Sequence, residues 1–317
     1  MIDHILVPLD GSPLAECVLP HAVAVGQAMD AKVTVLQAVA REPSPGSRAV
    51  DPLGWHMRKS EADSYLREVV ERLRETGVEA ETVLAEGRAP DRILDYAREE
   101  EVGLIIVSSH GRSGLSPWNI SSVVQKVILR AYAPTLIVRA YRHTTEDLSE
   151  LRYERLLLPL DGSQRAECVL PWARNLADFH HCKVIVAHVV NEPEVPRRTP
   201  LTEDEADLVD RLTELNREKG EQYLQELESR LPLDVETRLL VSDNPAAALH
   251  NLAQKEETDL VLMAAHGYSG ETTWPYGSIA LNFIAYGPEP LLMIQDVPPE
   301  EVGMTEAERA AREQAGH

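Results

Sequence analysis

The sequence has few cysteines, no long apolar run and little positive charge. Its three cysteines, Cys17, Cys168 and Cys182, are an odd number without CxxC spacing, which argues against a disulfide framework and against a cysteine zinc site. No run approaches the roughly 20 consecutive apolar residues that a membrane-spanning helix needs, so we expect no membrane association. The opening residues, MIDHILVPLDGS, lack the basic head and longer apolar core of a secretory signal, and we expect a cytoplasmic protein.

The shortage of positive charge limits the ligands that the chain can bind. Lysine and arginine total 31 against 52 aspartates and glutamates, which gives a formal net charge of −21. Such a surface repels a phosphate backbone, so we expect no binding of nucleic acid. A small anionic ligand is still compatible with this charge, because backbone N–H groups in a local concavity bind phosphate whatever the net charge is.

The chain contains an internal duplication. ILVPLDGSPLAECVLP at 5–20 aligns without a gap to LLLPLDGSQRAECVLP at 156–171. A repeat as long as this one indicates duplicated domains, and the 317 residues suffice for two of ordinary size. The polar stretch HTTEDLSELRYE marks the boundary between them. We divide the chain into domains at 1–146 and 153–297 and a tail at 298–317.

Short apolar runs alternate with amphipathic segments in both copies. The runs read as strands because they are short and rich in Val, Ile and Leu. They are HILVPL, KVTVLQAV, AETVLA, LIIVSS and TLIVRA in the first copy, and LLLPL, KVIVAHVV, VETRLLV, LVLMAA and LLMIQ in the second. The alternation predicts an α/β fold with two tandem open parallel five-stranded sheets, each flanked by helices on both faces and Rossmann-like.

The segments between the strands include helices and long loops. LAECVLPHAVAVGQAM, from residue 14, is predicted as one helix, and the proline-rich segments at 41–57 and 191–207 are predicted as loops that serve as lids or partner surfaces. In the tail, Thr305 and Glu308 have capping-box spacing and predict a short helix.

Unusual residues follow the first strand of each copy. The motif PLDGS occurs at Pro8–Ser12 and at Pro159–Ser163. One interpretation is a tight turn with aspartate, glycine and a helix-capping serine. The other is a ligand site, because ligands of parallel sheets bind beyond the carboxyl ends of the strands and an aspartate there can accept a hydrogen bond from a ribose or a base amine. The two interpretations are compatible.

A glycine-containing loop follows the fourth strand of each copy. It reads SSHGRSGLSPWNISSVVQKVI from 108 and AAHGYSGETTWPYGSIALNFI from 264. In the second copy Gly277 and Ser278 open a helix, where free amides, the helix dipole and a hydroxyl could bind a phosphate. The alternative is a plain loop with a serine cap, since the spacing is that of neither a P-loop nor a Rossmann motif.

Together these motifs resemble the tandem form of the universal stress protein family, over residues 1 to about 296. The family's nucleotide-binding branch has the pattern glycine, two residues, glycine, nine residues, glycine, then serine or threonine. The second copy departs from it only at the first glycine, with Ala264, Gly267, Gly277 and Ser278 at these positions. The first copy lacks the first and third glycines, with Ser108, Gly111, Ser121 and Ser122.

The resemblance implies an adenine nucleotide alpha hydrolase-like fold that binds ATP, with Mg²⁺ held through the phosphates, and better binding by the second copy. There the implied site residues are Pro159, Leu160, Asp161, Val189, Ala264, His266, Gly267, Gly277, Ser278 and Ile279. Their equivalents in the first copy are Pro8, Leu9, Asp10, Ala38, Ser108, Gly111, Ser121, Ser122 and Val123. We expect Ser121 to obstruct phosphate, and to be strained if the glycine it replaces is left-handed. Asp243 would repel phosphate unless it points outward.

The implied function is that of a stress-response or regulatory module that binds ATP. A nucleotide-free interaction scaffold and a slow ATPase are the alternatives. Neither His110 nor His266 has a nucleophile or a carboxylate at motif spacing, so we expect no catalytic residues, no protein-held metal and at most weak ATP hydrolysis. The resemblance also implies that the two domains pair through their fifth strands as an internal pseudo-dimer, and it allows a homodimer or a further protein partner.

Overall fold

Strands and helices alternate through the residues that the computed structural model describes, which are 2–40, 52–111, 120–131, 133–140, 147–191, 202–268 and 275–296. The strands are β1 His4–Pro8, β2 Lys32–Val39, β3 Ala80–Glu86, β4 Leu104–Ser108, β5 Thr135–Val138, β6 Arg155–Pro159, β7 Lys183–Asn191, β8 Val235–Ser242, β9 Leu260–Ala264 and β10 Leu291–Ile294. The helices are α1 Leu19–Met29, α2 Pro52–Glu75, α3 Ala89–Glu99, α4 Ser122–Arg130, α5 Leu170–His180, α6 Glu203–Arg230, α7 Pro245–Lys255 and α8 Ser278–Tyr286, with 3₁₀ turns at Ala15–Val18 and Ala166–Val169. All ten predicted strands are confirmed.

The strands form one continuous sheet in the order β3-β2-β1-β4-β5-β10-β9-β6-β7-β8. Within each half the five strands are parallel, as predicted. The halves join where β5 and β10 pair antiparallel, with Leu136 opposite Leu292. The predicted internal pseudo-dimer through the fifth strands is therefore confirmed, and the two predicted sheets are halves of a single ten-stranded sheet.

Apolar side chains on both faces of this sheet hold the helices against it. Ile5 and Val7 of β1 point to the face that α1, α2, α5 and α6 cover, and Leu6 points to the opposite face, which α3, α4, α7 and α8 cover. All three are completely buried. This explains why the strands are almost continuously apolar instead of alternating. Within the described residues, no helix is long and apolar enough to cross a membrane.

Four of the predicted segments differ from the structure or fall outside it. The single helix predicted from residue 14 is a 3₁₀ turn followed by α1, which begins at Leu19 and has Pro20 in its first turn, where a missing N–H costs nothing. The predicted loops end earlier than expected, because α2 begins at Pro52 and α6 begins at Glu203 behind a capping box from Thr202. The predicted tail helix lies outside the described residues.

A buried tyrosine from the segment between the halves packs where α1 meets α5. The Tyr153 hydroxyl lies 2.8 Å from Nδ1 of His21, and its ring meets the ring of His180 edge-on, with 5.0 Å between centroids. Burial, together with a smaller effect of the nearby charge of Arg152, lowers the pKa of His180 to about 4. The native protein therefore holds His180 as a neutral imidazole.

We predict that His180 makes the protein less stable in mild acid. In the unfolded chain His180 takes up a proton near pH 6.5, whereas in the folded chain it does so only near pH 4, so its contribution is complete above pH 6.5 and is lost as the pH falls from 6.5 to 4. Urea unfolding at a series of pH values should show a shallower decline of the unfolding free energy for His180→Leu over this range. If the unfolding free energy falls equally steeply with pH in the variant and in the natural protein, His180 is not the group responsible. A difference between the two proteins that is the same at every pH would reflect packing alone.

Candidate functional site

A cavity of about 1290 Å³ opens at the carboxyl ends of β6, β7 and β9 in the second half. It is somewhat larger than the roughly 300–1,000 Å³ of ordinary small-molecule sites. The residues predicted for the second-half site all line it, namely Pro159, Leu160, Asp161, Val189, Ala264, His266, Gly267, Gly277, Ser278 and Ile279. The fold thus brings together residues that are up to about 120 positions apart in the sequence.

The PLDGS motif forms a tight turn in both halves. Asp161 Oδ1 accepts hydrogen bonds from the Ser163 amide at 3.0 Å and from its hydroxyl at 2.6 Å. The Ser163 hydroxyl oxygen in turn accepts a hydrogen bond at 3.1 Å from the amide of Ala166, the first residue of the 3₁₀ turn. Asp10 and Ser12 repeat the arrangement at the end of β1. The turn interpretation is confirmed, and Asp161 also lines the cavity.

The second oxygen of Asp161 fixes the loop after β9. Asp161 Oδ2 accepts a hydrogen bond from the amide of Tyr268 and lies against Gly267, where an added Cβ would be only 2.2 Å from it. A Cβ at Gly111 would likewise be 2.1 Å from Asp10 Oδ2. The glycine of the HG pair is therefore required by the aspartate carboxylate of the first loop. The family resemblance assigns Gly267 to the nucleotide-binding pattern alone and does not indicate this contact.

The residue before α8 has an ordinary backbone conformation. Gly277 has φ −69° and ψ 166°, and Ser121 before α4 has φ −74° and ψ 158°. The expected strain at Ser121 is wrong, because the equivalent glycine is not left-handed. The amide of each residue donates back to the preceding loop, from Gly277 to Ala265 O at 2.7 Å and from Ser121 to Ser109 O at 2.8 Å.

The two helices differ in how their first amides are satisfied. Ser121 accepts a hydrogen bond from the amide of Val124 at 3.3 Å and so caps α4. Gly277 has no side chain to do this for α8. Among the residues that the structure describes, the amides at 278–280 have no acceptor, and these three residues line the cavity. The positive end of the α8 dipole therefore faces the cavity.

Helix α6 supplies a cavity wall that the sequence motifs did not reveal. Lys219 is the single Lys or Arg among the described lining residues, and none of the described carboxylates pairs with it. Arg72 and Arg230 make the same ion pair in the two halves, with Glu16 at 2.8 Å and with Glu167 at 3.0 Å. Glu61 precedes Arg72 by the same number of residues as Lys219 precedes Arg230, so Glu61 is the counterpart of Lys219. The first half therefore has a negative charge where the second has a positive one.

An indole covers the corresponding wall in the first half. Trp55 of α2 is 6% exposed and packs with Val39 and Ala62. The strand registers make Val190 the counterpart of Val39, and the spacing from Arg72 and Arg230 makes Gly220 the counterpart of Ala62. Both Val190 and Gly220 line the second-half cavity. The apolar surface that Trp55 covers in the first half is open to the cavity in the second.

A buried carboxylate holds His266. Asp296, which follows β10, has a fully buried side chain; its Oδ1 lies 2.8 Å from His266 Nδ1 and accepts from the His266 amide at 3.1 Å. Its Oδ2 lies 3.2 Å from Nε of Arg165. The first half has Leu14 and Ala140 at the positions of Arg165 and Asp296. The two halves therefore differ at both positions of this ion pair. That paired difference is visible in the sequence when the two copies are aligned, although no local motif contains both residues.

The predicted first-half residues also gather at one edge of the sheet. Ser108 ends β4, and its hydroxyl lies 2.6 Å from the carbonyl oxygen of His110 and 2.9 Å from that of Leu14, so it stabilises its own loops. The other predicted residues lie at the ends of β1 and β2, after β4 and at the start of α4: Pro8, Leu9, Asp10, Ala38, Gly111, Ser121, Ser122 and Val123.

Two further features bear on ligands in the second half. Asp243 is exposed and does not line the cavity, so the repulsion of phosphate that its position suggested does not arise there. Within the described chain, no group of three or more His, Cys, Asp or Glu side chains could hold a metal ion. Any Mg²⁺ at this site would have to be held mainly by the ligand's own oxygens.

The comparisons with known proteins agree with the duplication. A model described as the universal stress protein family matches residues 1–139 and again 152–295. Universal stress protein YxiE of Bacillus subtilis is 32% identical over 149 residues, 44% of this chain and 100% of that protein. A universal stress protein of Methanocaldococcus jannaschii is 29% identical over 139 residues, 43% of this chain and 81% of that protein. Each of these relatives corresponds to one half of the chain.

A solved structure shows the same fold over almost the whole length. The universal stress protein from Archaeoglobus fulgidus DSM 4304 has a TM-score of 0.65 and 18% sequence identity, and the match covers 93% of this chain and 98% of that one. At this identity the likeness establishes the fold and not the ligand.

We predict that Gly267→Ala destabilises the protein, because the new methyl group would overlap the Asp161 carboxylate and displace it from Tyr268. We expect a loss of about 1–3 kcal/mol in the free energy of unfolding, the usual range for forced overpacking. Urea unfolding measures it. Gly277→Ala is the matched control, since its Cβ would lie 3.6 Å from the nearest atom, and we expect it to lose only the small preference of a helix N-cap for glycine over alanine, less than Gly267→Ala loses. Equal effects of the two substitutions would contradict the role given to Asp161.

Proposed function

Because the chain belongs to the universal stress protein family, we propose that its second half binds an adenine nucleotide, with ATP as the preferred ligand and Mg²⁺ held through the phosphates. In this proposal the protein is a stress-response or regulatory module whose nucleotide occupancy controls its choice of partner. One observation carries the proposal: the uncapped amino-terminal end of α8 lies in the wall of a large cavity.

The α8 terminus supplies what a phosphate group needs. The amides at 278–280 point outward from the helix start and carry the positive end of a dipole equivalent to roughly half an elementary charge. Gly277 places no Cβ in front of them, and the Ser278 hydroxyl is a further donor. Lys219 adds a positive side chain to the same cavity. None of these groups depends on the net charge of the whole chain.

The strand ends supply a place for the base and the ribose. The pairing of β6 with β7 ends at Pro159 and Ala187, and the Leu160 amide then donates to Ala187 O at 2.8 Å. Since backbone groups of alternate residues in a strand point to the same side, Val189 directs its N–H and C=O toward the space that β6 has left. These groups can pair with an adenine edge, and Leu160 can pack on its face. Asp161 would then be the acceptor nearest the ribose.

The first half lacks three of these features, so we propose that it binds nucleotide weakly or not at all. Ser121 already satisfies the Val124 amide of α4. Glu61 places a carboxylate where Lys219 lies in the other half. Trp55 covers the surface equivalent to the open wall.

The direct test is to purify the protein without added nucleotide, denature it, and analyse the released small molecules by mass spectrometry. Titration calorimetry with MgATP follows on the nucleotide-free protein. We expect one ATP per chain. Two ATP molecules per chain would contradict the preference for the second half. Absence of both released nucleotide and binding heat would favour a nucleotide-free interaction scaffold, and release of phosphate from bound ATP would establish a slow ATPase.

We predict that Gly277→Ser weakens ATP binding without harming the fold. The serine reproduces Ser121 of the first half, whose backbone angles are almost the same, and its hydroxyl oxygen would occupy the Ala280 amide. Losing one donor to a charged phosphate costs about 1.5–3 kcal/mol, so the affinity should fall by at least about tenfold.

Ser121→Gly is the matched control for this experiment. It should lower the free energy of unfolding by a few tenths of a kcal/mol, through the loss of the cap, and leave ATP affinity unchanged. Calorimetry and urea unfolding measure the two quantities. Unchanged ATP affinity in Gly277→Ser would show that phosphate does not bind at α8.

A further inference from the structure

We infer that the first half contributes to the binding site of the second half by holding α8 in place. It does so through Arg139 and through the carbonyl oxygen of Ile128, which accepts a hydrogen bond from Tyr276. This inference rests on the proposed nucleotide site. It assigns both side chains as positioning residues, which act on the phosphate through the helix.

Arg139 fixes the carboxyl-terminal end of α8. It follows β5 in the first half, and its side chain is completely buried. Its Nη2 donates hydrogen bonds to the carbonyl oxygens of Phe283 at 2.9 Å and Ile284 at 3.1 Å, which are in the last turn of α8. A cation at this end complements the negative pole of the helix, while the other pole faces the cavity.

Tyr276 fixes the amino-terminal end of the same helix. It precedes Gly277 directly, lines the cavity and is 2% exposed. Its hydroxyl donates to the carbonyl oxygen of Ile128 in α4 of the first half, at 2.9 Å, and accepts from Nε2 of Gln295 at 3.2 Å. The phosphate-binding end of α8 is thus attached to the other half of the molecule.

These attachments are not duplicated. The position of Tyr276 holds Ile120 in the first half, and the position of Arg139 holds Gln295 in the second. Ile120 has no hydroxyl group, and Gln295 has no positive charge and donates from its Nε2 to Tyr276 instead. We call the hydrogen bonds of Arg139 and Tyr276 the α8 clamp. Helix α4, which Ser121 caps, has no equivalent of this clamp among the described hydrogen bonds.

The clamp matters for the phosphates more than for the adenosine. Nine residues of α-helix form a rod of about 13 Å, so a shift at either end of α8 moves the amides at 278–280 together. Binding groups must be held within about 0.5 Å to work at full strength. The surfaces proposed for adenosine belong to β6 and β7, whereas the described hydrogen bonds of Arg139 and Tyr276 go to α8, to α4 and to Gln295.

The experiment compares MgATP with adenosine as ligands of the full chain. Arg139→Gln introduces the residue that the other half has at this position, and Tyr276→Phe removes only the hydroxyl. Calorimetry on the natural protein and on each variant gives the ratio of the two dissociation constants. We expect ATP affinity to fall about tenfold in each variant and adenosine affinity to change less than about twofold.

The outcomes separate this inference from the proposed function. If the natural protein binds neither ligand, the proposed function fails and the inference fails with it. If the natural protein binds ATP and the variants bind both ligands as before, or lose both equally, the inference is overturned and the nucleotide site stands. Should Arg139→Gln fail to fold in urea-unfolding measurements, Tyr276→Phe decides, because it retains the buried ring.

Discussion

The antiparallel pairing of β5 with β10 is the contact on which the rest of the molecule depends. Each of these strands would be the exposed edge of a five-stranded sheet, with unpaired backbone groups. Their pairing removes both edges and makes one sheet from two. It also brings α4 and α8 together on one face, so that Arg139 and Tyr276 can reach across. Without the pairing of β5 with β10, helix α8 in the wall of the second-half cavity would lose its contacts with the first half.

The two halves share the same backbone fold and differ in which backbone hydrogen-bonding groups have partners. The first half completes its own hydrogen bonds, with Ser121 on α4 and with Ser108 and Ser109 on neighbouring backbone groups. The second half replaces all three serines by glycine or alanine, and the donors at the start of α8 have no described acceptor. Proteins tend to depart from local rules at functional sites. An anion would complete the second half as the serine completes the first.

Local sequence patterns predicted the strands, their parallel pairing within each half and the sheet edge at which the predicted site residues gather. They succeeded because apolar runs of strand length and loops after strand ends are encoded by neighbouring residues. They did not predict Asp296 beside His266 or Tyr276 on Ile128, because these contacts depend on how separate elements align in space. Gly267 shows a subtler limit: its motif was evident, but the nearby Asp161 carboxylate that demands a glycine became visible only in the fold.

A net charge of −21 is compatible with the proposed binding of a triphosphate, because charge acts over a short range in salt solution. At physiological ionic strength the screening length is about 8 Å, so most carboxylates elsewhere on the surface act weakly on the cavity. In the proposed complex, amides at hydrogen-bonding distance from the phosphate would act with little screening, Lys219 lines the same cavity, and Mg²⁺ would neutralise part of the phosphate charge. Asp161 is the one described carboxylate that lines the cavity, and its charge is already engaged by Ser163 and Tyr268. In this proposal the local field at the start of α8, and not the net charge of the chain, therefore decides binding.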